Sequence, residues 1–394
     1  MFPKLRFKEF DENWKEVTLK NCITSIDSGW SPQCESYPAN SSEWGVLKTT
    51  SVDWSGFNSS FNKKLPLELT PRKEIEVKPL DILVTRAGPT ERVGVVSVVP
   101  HSVRSKLMIS DKLIRLKSNE ENNPLFLGIS LSSVKCQNQL QSKTSGLAKS
   151  QTNISQKILG EVLLKLPSKE EQTKIASFLS AVDEKISQLT KKHELLSQYK
   201  QGMMQKLFSQ QIRFKADDGS EFGEWEGKEL HQIFQIKAGG DIEKSSVSEV
   251  RTSEFSYPIF ANSDKNKGFY GWANKFKYKE AVTVTGRGNL GIAVARNEPF
   301  HPIVRLLVLL PLVKQNLKFF EEQINLLDIV SESTGVPQLT APQLSKYKVN
   351  VPSLEEQTKI ANFLSSIDQK IEVVAQQIEQ AKQWKKGLLQ QMFI

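Results

Sequence analysis

The sequence has few cysteines and no long hydrophobic run. Its cysteines, Cys22, Cys34 and Cys136, all lie in the first half of the chain and form no CxxC pair. Disulfide bonds and zinc are therefore excluded as the framework of the fold, and a reducing cytoplasm is the expected compartment. The longest apolar run, residues 302–313, contains Arg305 and is too short to cross a bilayer. The N-terminal residues have no apolar segment of the signal-peptide type, so we expect no membrane association.

The sequence also lacks the motifs of several enzyme classes. It has no GxxxxGK[ST] phosphate-binding loop and no HExxH metal motif. The Asn-Pro-Pro-Tyr and Asp-Pro-Pro-Tyr tetrapeptides of adenine methyltransferases are absent as well. The acidic pair Asp217 and Asp218 could in principle hold magnesium, but it lies in the segment DDGSEFGEW and is interpreted as a solvated turn. We expect no catalytic residue and no metal ligand in this chain, which points to binding and assembly.

Length and charge narrow the classes of protein further. A chain of 394 residues is too long for one ordinary core and indicates two to three domains. Lys and Arg number 53 against 44 Asp and Glu, which gives a net charge of +9. This excess favours a polyanionic partner, because a basic surface that neutralises phosphates releases counterions, although many basic proteins bind no nucleic acid.

An internal repeat dominates the sequence. Residues 167–186 read PSKEEQTKIASFLSAVDEKI and residues 352–371 read PSLEEQTKIANFLSSIDQKI, with fifteen of twenty positions identical at an offset of 185. The same offset continues without a gap to Phe208 and Phe393. Each copy starts with Pro-Ser before Glu-Glu-Gln and then runs for about forty residues without proline. We therefore predict two helices, each about 60 Å long, with Ser168 and Ser353 as their N-caps.

Apolar residues in both predicted helices repeat with a period of 3.5. This period is typical of a coiled-coil seam and is favoured here over an amphipathic helix packed on a globular core. The predicted seam residues are Ile175, Leu179, Val182, Ile186, Leu189, Leu196, Ile360, Leu364, Ile367, Ile371, Val374 and Ile378. Lys200 and Lys385 interrupt the stripe at the same repeat position. Each is interpreted either as a lysine that extends out of the seam to solvent or as a polar residue that sets the register.

The repeat divides the chain into two similar halves, each a globular region followed by a helix. We place the globular regions at residues 1–165 and 212–350, and the helices at 166–211 and 351–394. The two regions open alike, with Arg6 and Trp14 in one and Arg213 and Trp225 in the other. They also close alike, with Ser-Gly at 145–146 and Thr-Gly at 334–335, and they differ strongly between these markers.

Both globular regions are predicted to be mixed α/β and richer in strand, since short apolar runs alternate with Gly, Pro, Asn and Ser clusters. The predicted strands are Ile82–Thr85, Val93–Val99, Leu113–Leu116, Tyr257–Phe260, Ala281–Val284 and Ile292–Ala295. The predicted short helices are Pro124–Val134 and Leu317–Asn325.

A strand that runs into a glycine-rich loop with arginine occurs in both regions, as DILVTRAGPTERVG and AVTVTGRGNLG. Such a loop brings backbone close to a nucleic-acid groove and aims a guanidinium at a base edge, whereas an ordinary hairpin turn would leave the arginine solvated. Both interpretations stay open. The candidate DNA-binding residues, here and in other polar or basic loops, are Lys48, Thr49, Thr50, Arg72, Lys73, Arg86, Arg92, Lys143, Asn262, Lys265, Asn266, Lys267, Arg287, Asn289 and Gln338.

The doubled PS-x-EEQ-x-KIA-x-FL segment, which twice follows a divergent strand-rich region, resembles the conserved regions of type I restriction–modification specificity subunits. The opening PKLRFKEF and the segment QGMMQKLF are similar to the same family, so the resemblance covers essentially the whole chain. It implies an α+β fold with two strand-rich mixed α/β target-recognition domains. Two long antiparallel coiled-coil helices would separate them, with a pseudo-two-fold internal repeat.

The resemblance also implies a division of labour. Each domain would read one half of a bipartite, asymmetric double-stranded DNA target, while the helices act as a spacer and dock two modification (methyltransferase) subunits. Restriction subunits, which translocate and cut DNA, would join them. S-adenosylmethionine, ATP and magnesium are expected on these partners, and no cofactor is expected in this chain. The alternatives are a stand-alone DNA-modifying enzyme, which would turn over alone, and a coiled-coil scaffold, which would not bind DNA.

Overall fold

The computed structural model of the chain describes residues 3–143, 152–329 and 337–393. The chain divides into two compact units, one made of Met1–Gln188 and Gln377–Ile394 and the other of Leu189–Gln376. Each unit therefore combines a strand-rich region with part of each long helix. The predicted closing markers at 145–146 and 334–335 lie outside the described residues.

The first unit is built mainly from short strands. They are β1 (Lys15–Thr18), β2 (Ile23–Ser28), β3 (Gly45–Leu47), β4 (Val52–Asp53), β5 (Gly56–Phe57), β6 (Asn62–Lys64), β7 (Ile82–Thr85), β8 (Ala87–Gly88), β9 (Val96–Val98), β10 (Leu107–Met108), β11 (Leu113–Ser118), β12 (Thr152–Asn153) and β13 (Leu163–Leu166). The helices that begin in this unit are α1 (Pro124–Leu131), α2 (Val134–Ser142), α3 (Gln156–Gly160) and the long α4 (Lys169–Phe208).

The second unit has a comparable set of elements. Its strands are β14 (Glu226–Glu229), β15 (Phe234–Ala238), β16 (Val247–Ser248), β17 (Tyr257–Phe260), β18 (Phe269–Ala273), β19 (Ala281–Thr285), β20 (Ala293–Arg296), β21 (His301–Pro302), β22 (Leu306–Pro311) and β23 (Lys348–Val351). Its helices are α5 (Leu230–Ile233), α6 (Leu317–Ile324), α7 (Ala341–Ser345) and the long α8 (Leu354–Met392), which ends in the first unit.

The sheets of the two units have the same topology. An antiparallel sheet in the order β2-β11-β7-β9 in the first unit corresponds to β15-β22-β19-β20 in the second. The registers match as well, because Thr85 lies opposite Leu113 and Thr285 opposite Leu306. Two further strand pairs correspond. The parallel pair is β3 with β10 in the first unit and β17 with β21 in the second. The antiparallel pair is β1 with β13 in the first unit and β14 with β23 in the second. The repeat therefore extends through the globular regions, where the sequences have diverged.

Each predicted element is present, but several ends differ from the prediction, and three of the differences are instructive. The strand predicted to begin at Val93 begins at Val96, because Gly94 has a left-handed φ of 84° and belongs to the preceding loop. The strand predicted to begin at Ile292 begins one residue later. The helix predicted over 124–134 is two helices, because Ser133 is extended and its hydroxyl accepts the Cys136 N–H as the N-cap of α2.

A buried glutamate joins the start of each globular region to the start of each long helix. Glu171, 1% exposed, accepts two hydrogen bonds of 2.7 Å from Arg6 and one of 3.4 Å from the Trp14 indole. Glu356, 0% exposed, accepts the equivalent bonds from Arg213, at 3.0 and 2.8 Å, and from the Trp225 indole, at 3.0 Å. Since both oxygens of each carboxylate have charged or indole donors, the buried charge is compensated.

The residues that flank these glutamates cap the helices. Ser168 and Ser353 accept the N–H groups of Glu171 and Glu356 at 3.4 and 3.3 Å, which confirms both predicted N-caps. The side-chain N–H groups of the following glutamines donate to prolyl carbonyls, and their oxygens accept the N–H groups of the asparagines that cap α1 and α6. The repeated Glu-Glu-Gln segment is therefore a structural joint between each globular region and its helix.

The two long helices pack against each other within each unit. In the first unit Asp183 of α4 pairs with Lys385 of α8 at 2.5 Å, and in the second unit Lys200 of α4 pairs with Asp368 of α8 at 2.7 Å. The partner residue number falls along α8 as it rises along α4, so the helices run antiparallel. The predicted seam residues are buried, except that Ile186, Leu196 and Ile371 are half-buried. The predicted α+β architecture with two strand-rich domains and two long paired helices is confirmed.

Candidate nucleic-acid interface

Strands β7 and β19 occupy corresponding inner positions in the sheets β2-β11-β7-β9 and β15-β22-β19-β20, which we call the main sheets. The loop that follows each of these two strands is closed by a threonine hydroxyl. Thr85, at the end of β7, accepts the Val95 N–H at 2.9 Å and donates to the carbonyl of Arg92. Thr285, at the end of β19, accepts the Ile292 N–H at 3.0 Å and donates to the carbonyl of Asn289 at 2.6 Å. After each loop a glycine with positive φ, Gly94 or Gly291, donates its N–H to the carbonyl of the threonine at 2.9 Å. We call residues 86–93 and 286–290 the central loops.

In the first unit the central loop is tied to the hairpin formed by β4 and β5. The Arg92 guanidinium pairs with Asp53 at 2.5 Å and donates to the carbonyls of Val52 at 2.7 Å and Thr49 at 3.2 Å. The Arg92 guanidinium holds the pKa of Asp53 below its usual value, and a backbone bond from Ser55 adds to this. The central loop therefore fixes the position of the hairpin through Arg92.

In the second unit asparagines make the equivalent ties. Asn289 of the central loop donates to the Asp264 carboxylate at 2.7 Å. Asn262 accepts the N–H groups of Gly286 and Arg287 at 2.6 and 3.1 Å and donates to the Arg287 carbonyl at 2.7 Å. The side chain of Asn262 thus acts as a backbone mimic that fixes the loop from which Arg287 extends.

These ties join corresponding loops. In the first unit the partner of the central loop is residues 48–61, between β3 and β6, and in the second it is residues 261–268, between β17 and β18. Each of these loops, which we call the partner loops, carries one aspartate that the central loop binds, Asp53 or Asp264. Each unit therefore presents two loops in a fixed mutual arrangement.

The exposed side chains of the tied loops differ between the units. The first unit exposes Lys48, Thr50 and Trp54, with Thr49 and Arg86 half-buried. The second exposes Lys265, Asn266, Lys267 and Arg287, and Asn266 and Lys267 have left-handed φ values of 48° and 51°. Gln338, which pairs with Arg287 through the backbone, accepts a bond of 3.4 Å from Arg305. The amide and cationic side chains of the second unit are suited to hydrogen bonds with phosphates and base edges, whereas the indole of the first unit is suited to apolar contact with a base.

Comparison with known proteins shows that the sequence matches one protein family in both halves of the chain. The family described as "Type I restriction modification DNA specificity domain" matches residues 12–197 and 223–383. The chain belongs to this family.

Named relatives are similar to this chain over different lengths. The type I restriction enzyme EcoEI specificity subunit of Escherichia coli is 40% identical over 43% of this chain and 29% of its own length. The putative type I specificity subunit S.MpnORF507P of Mycoplasma pneumoniae is 30% identical over 55% of this chain and 58% of its own. These alignments span about a third to three-fifths of those relatives. The putative type I restriction enzyme MjaX specificity subunit of Methanocaldococcus jannaschii is 25% identical over 98% of this chain and 94% of its own length.

Solved structures support the fold of the specificity domains. The type I restriction–modification system S subunit from M. genitalium matches 100% of this chain and 99% of its own with a TM-score of 0.66 and 19% identity. A chain solved in work on complex assembly and conformational transition of the type I R-M system covers 97% of each chain, with a TM-score of 0.54 and 17% identity.

The remaining candidate residues of the specificity domains are not joined to the tied loops by any contact of the described residues. Arg72 lies over the Trp30 ring at 4.1 Å, and Lys73 begins a 3₁₀ turn, Lys73–Ile75. Lys143 follows α2 and pairs with Glu161 at 3.8 Å. Their assignment as DNA-binding residues stays a prediction.

The structure also shows residues of the specificity domains that sequence reasoning missed. The aspartates Asp53 and Asp264 and the hydroxyls of Thr85 and Thr285 were not candidates. The only sequence signal for the threonines was Val-Thr at the end of both strands, in LVTRAG and TVTGRG. The geometry also assigns Arg92, Asn262 and Asn289 a positioning role, because their polar atoms bind neighbouring loop residues.

No group of three or more His, Cys, Asp or Glu side chains among the described residues is arranged to hold a metal ion. No described helix combines the length and the hydropathy that crossing a bilayer requires.

Proposed function

We propose that this chain is the DNA sequence-specificity subunit of a type I restriction–modification complex. One observation carries the proposal: in both units the central loop binds an aspartate of the partner loop, yet the two units expose different side chains there. Two equal frameworks with unlike reading surfaces suit a bipartite, asymmetric target, because identical surfaces would read identical half-sites.

The role proposed for the chain is non-catalytic. Two modification subunits carry S-adenosylmethionine and methylate adenine, and restriction subunits use ATP and magnesium to translocate and cut double-stranded DNA. The paired helices α4 and α8 dock the modification subunits and set the spacing of the half-sites. The pairs Asp183–Lys385 and Lys200–Asp368 repeat one contact with the copies of the repeat exchanged, and such a duplicated helix surface suits two copies of one partner.

Methylation mapping tests the proposal directly. The chain is co-expressed with its modification subunits in a host without other adenine methylation, and methylated adenines are mapped across the genome. The expected result is one motif made of two unlike half-sites at a fixed spacing. A single uninterrupted motif would contradict the divided reading. Turnover by the purified chain alone, with DNA, magnesium and S-adenosylmethionine, would support the enzyme alternative, and absence of a gel shift by the complex would support the scaffold alternative.

The spacer role has its own experiment. Residues 187–193 and 372–378 occupy the same repeat positions of α4 and α8, so deleting both removes one heptad from each helix and preserves the antiparallel pairing. Seven residues of helix correspond to about 10 Å, or about three base pairs. The mapped motif should keep both half-sites and change its spacing. An unchanged motif from a folded, active variant would contradict the spacer role.

A further inference from the structure

The tip of the hairpin formed by β4 and β5 carries an exposed tryptophan. Trp54 lies between Asp53 and Ser55, and 51% of its surface is exposed. It makes no ring contact, cation–π contact or hydrogen bond with the described residues. A tryptophan is one of the largest apolar groups that a chain can bury, so a solvated position on a loop tip indicates a use other than packing.

The backbone that presents Trp54 is fixed from several sides. The Asp53 N–H donates to the Ser97 hydroxyl at 3.2 Å, and the same hydroxyl donates to the Asp53 carbonyl at 2.7 Å. Ser97 lies on β9 and is 5% exposed, so this contact joins the hairpin to the main sheet. Arg92 holds the Asp53 carboxylate and the Val52 carbonyl at 2.5 and 2.7 Å. A tip with this many ties keeps its shape on binding, which lowers the entropy cost of a contact.

The charge around the tip suits a polyanion. Asp53 is paired with Arg92, so its charge is compensated, and the exposed Lys48 precedes the hairpin in the same partner loop. A cation beside an aromatic face is the combination that contacts a phosphate and a base together. The equivalent loop of the second unit has a different composition, with Lys265, Asn266 and Lys267 exposed and no tryptophan.

We propose that Trp54 contacts a base in the half-site read by the first unit, through apolar packing of its indole, while the second unit reads its half-site through polar side chains. This inference rests on the proposed function. Its structural basis is the tied hairpin that presents the indole in the same loop as the exposed Lys48. Arg92 is a positioning residue in this arrangement, because it acts on DNA only through Asp53 and the hairpin.

The test uses the complex of the full chain with its modification subunits. Dissociation constants are measured by fluorescence anisotropy on a duplex with both half-sites and on duplexes in which one half-site is scrambled. Trp54→Ala should weaken binding to the intact duplex by roughly 5- to 150-fold, the range for loss of one aromatic–base contact. Trp54→Phe should recover most of this loss. Leu67→Ala, which removes an apolar side chain that is 90% exposed in the same unit and lies outside the tied loops, is the control and should leave binding unchanged.

Two further readouts locate the contact. Footprints of the Trp54→Ala complex should lose protection in one half-site and keep it in the other. With 2-aminopurine placed through the affected half-site, wild type but not Trp54→Ala should change the fluorescence of one position. Unfolding of Trp54→Ala should be close to wild type, since the side chain is 51% exposed and makes no ring contact, cation–π contact or hydrogen bond with the described residues.

The outcomes separate this inference from the proposed function. If Trp54→Ala binds both half-sites as wild type does, the inference is overturned and the proposed function stands. If it loses both half-sites equally with its fold intact, the assignment of Trp54 to one half-site is wrong. If the wild-type complex does not distinguish intact from scrambled duplexes, the proposed function itself fails.

Discussion

Lys200 of helix α4 and Asp368 of helix α8 lie 2.7 Å apart, and the same pair recurs with the copies exchanged, as Lys385 and Asp183 at 2.5 Å. Of the two interpretations open for these lysines from the sequence, the structure favours the polar residue that sets the register. A shift of either helix by one heptad would separate both pairs, so the two contacts reinforce one alignment. The antiparallel alignment therefore has a polar determinant as well as an apolar seam.

The two lysines should differ in their effect on stability, despite occupying the same repeat position. Lys200 is 18% exposed and also binds Glu322, 3% exposed, at 2.9 Å, so Lys200→Met leaves a buried carboxylate with one cation fewer. We expect a loss of roughly 2–3 kcal/mol, less than a full buried-pair deletion because Lys318 still contacts Glu322 at 2.7 Å. Lys385→Met should cost less than about 1 kcal/mol, since Asp183 is half exposed. Chemical denaturation midpoints measure both, and equal losses would contradict this account.

The Lys200 contribution should also depend on pH. Burial raises the pKa of Asp368, but hydrogen bonds from Lys200 and Lys318 outweigh it and leave the pKa below its usual value. Such a group stabilises the folded state above its unfolded pKa of about 4 and loses that contribution as the pH falls through the folded value. The difference in stability between wild type and Asp368→Asn should thus be constant from pH 5 to 7 and shrink below pH 4. A stability difference that grows as the pH falls would show that the pKa of Asp368 is not lowered by folding.

The joint at Glu171 gives a second stability prediction. Arg6→Ala removes the guanidinium that binds both oxygens of a carboxylate that is 1% exposed. We expect a loss of about 3–5 kcal/mol, the range for an ion pair broken so that one buried charge stays uncompensated. Lys4→Ala, two residues earlier and exposed, is the control and should have little effect. The double variant Arg6→Ala, Glu171→Gln should recover part of the loss, and no recovery would show that the buried charge is not its cause.

The threonines that close the central loops should be equivalent in the two units. Thr85→Val and Thr285→Val each remove a hydroxyl that both accepts an N–H and donates to a carbonyl. The cost should be about 1–3 kcal/mol, because the amide of Val95 or Ile292 loses its acceptor. Thermal unfolding measures this, with the exposed Thr50→Val as control. A neutral Thr285→Val would mean that the loop closes without its hydroxyl.

Arg287 is the side chain of the second unit for which we expect the clearest DNA phenotype. Its backbone is fixed by Asn262, and its guanidinium is exposed without a hydrogen bond or ion pair to the described residues. Arg287→Ala should weaken discrimination at one half-site by about 1–3 kcal/mol and leave the other intact. Competition binding with singly substituted duplexes measures this, and Lys348→Ala, an exposed lysine on β23, is the control. Equal loss at both half-sites, with the fold intact, would rule out the assignment.

Local patterns in the sequence were enough to predict much of the fold. The Pro-Ser before Glu-Glu-Gln and the proline-free runs that follow predicted α4 and α8 with their N-caps, and the period of 3.5 predicted the seam. The apolar runs around Ile82 and Ala281 predicted the central strands, because a strand buried on both faces needs a continuous apolar run. The helix break at Ser133 was missed, since a capping serine inside an apolar pattern resembles an ordinary helical residue.

The loop ties could not be predicted, because they join residues that are distant in sequence. Asp53 and Arg92 are 39 positions apart, and Asp264 and Asn289 are 25 apart. The donor is an arginine in one unit and an asparagine in the other, and the central loops differ in length, so aligning the two halves does not reveal the correspondence. For the same reason the sequence did not separate side chains that hold a loop from those that the loop presents.

Each of the two lysines pairs with the aspartate of the other repeat copy, and this constrains how the two copies can diverge in sequence. Each copy of the repeat supplies a lysine and an aspartate, but the two never meet within one copy: Lys200 needs Asp368, and Lys385 needs Asp183. A mutation of one partner therefore removes a contact that only a change in the other copy can restore, which couples the two duplicated helices. Among the described residues, the ties Arg92–Asp53 and Asn289–Asp264 each close within one half of the duplication. Selection can then replace one reading surface at a time while the helices inherited from the duplication stay alike.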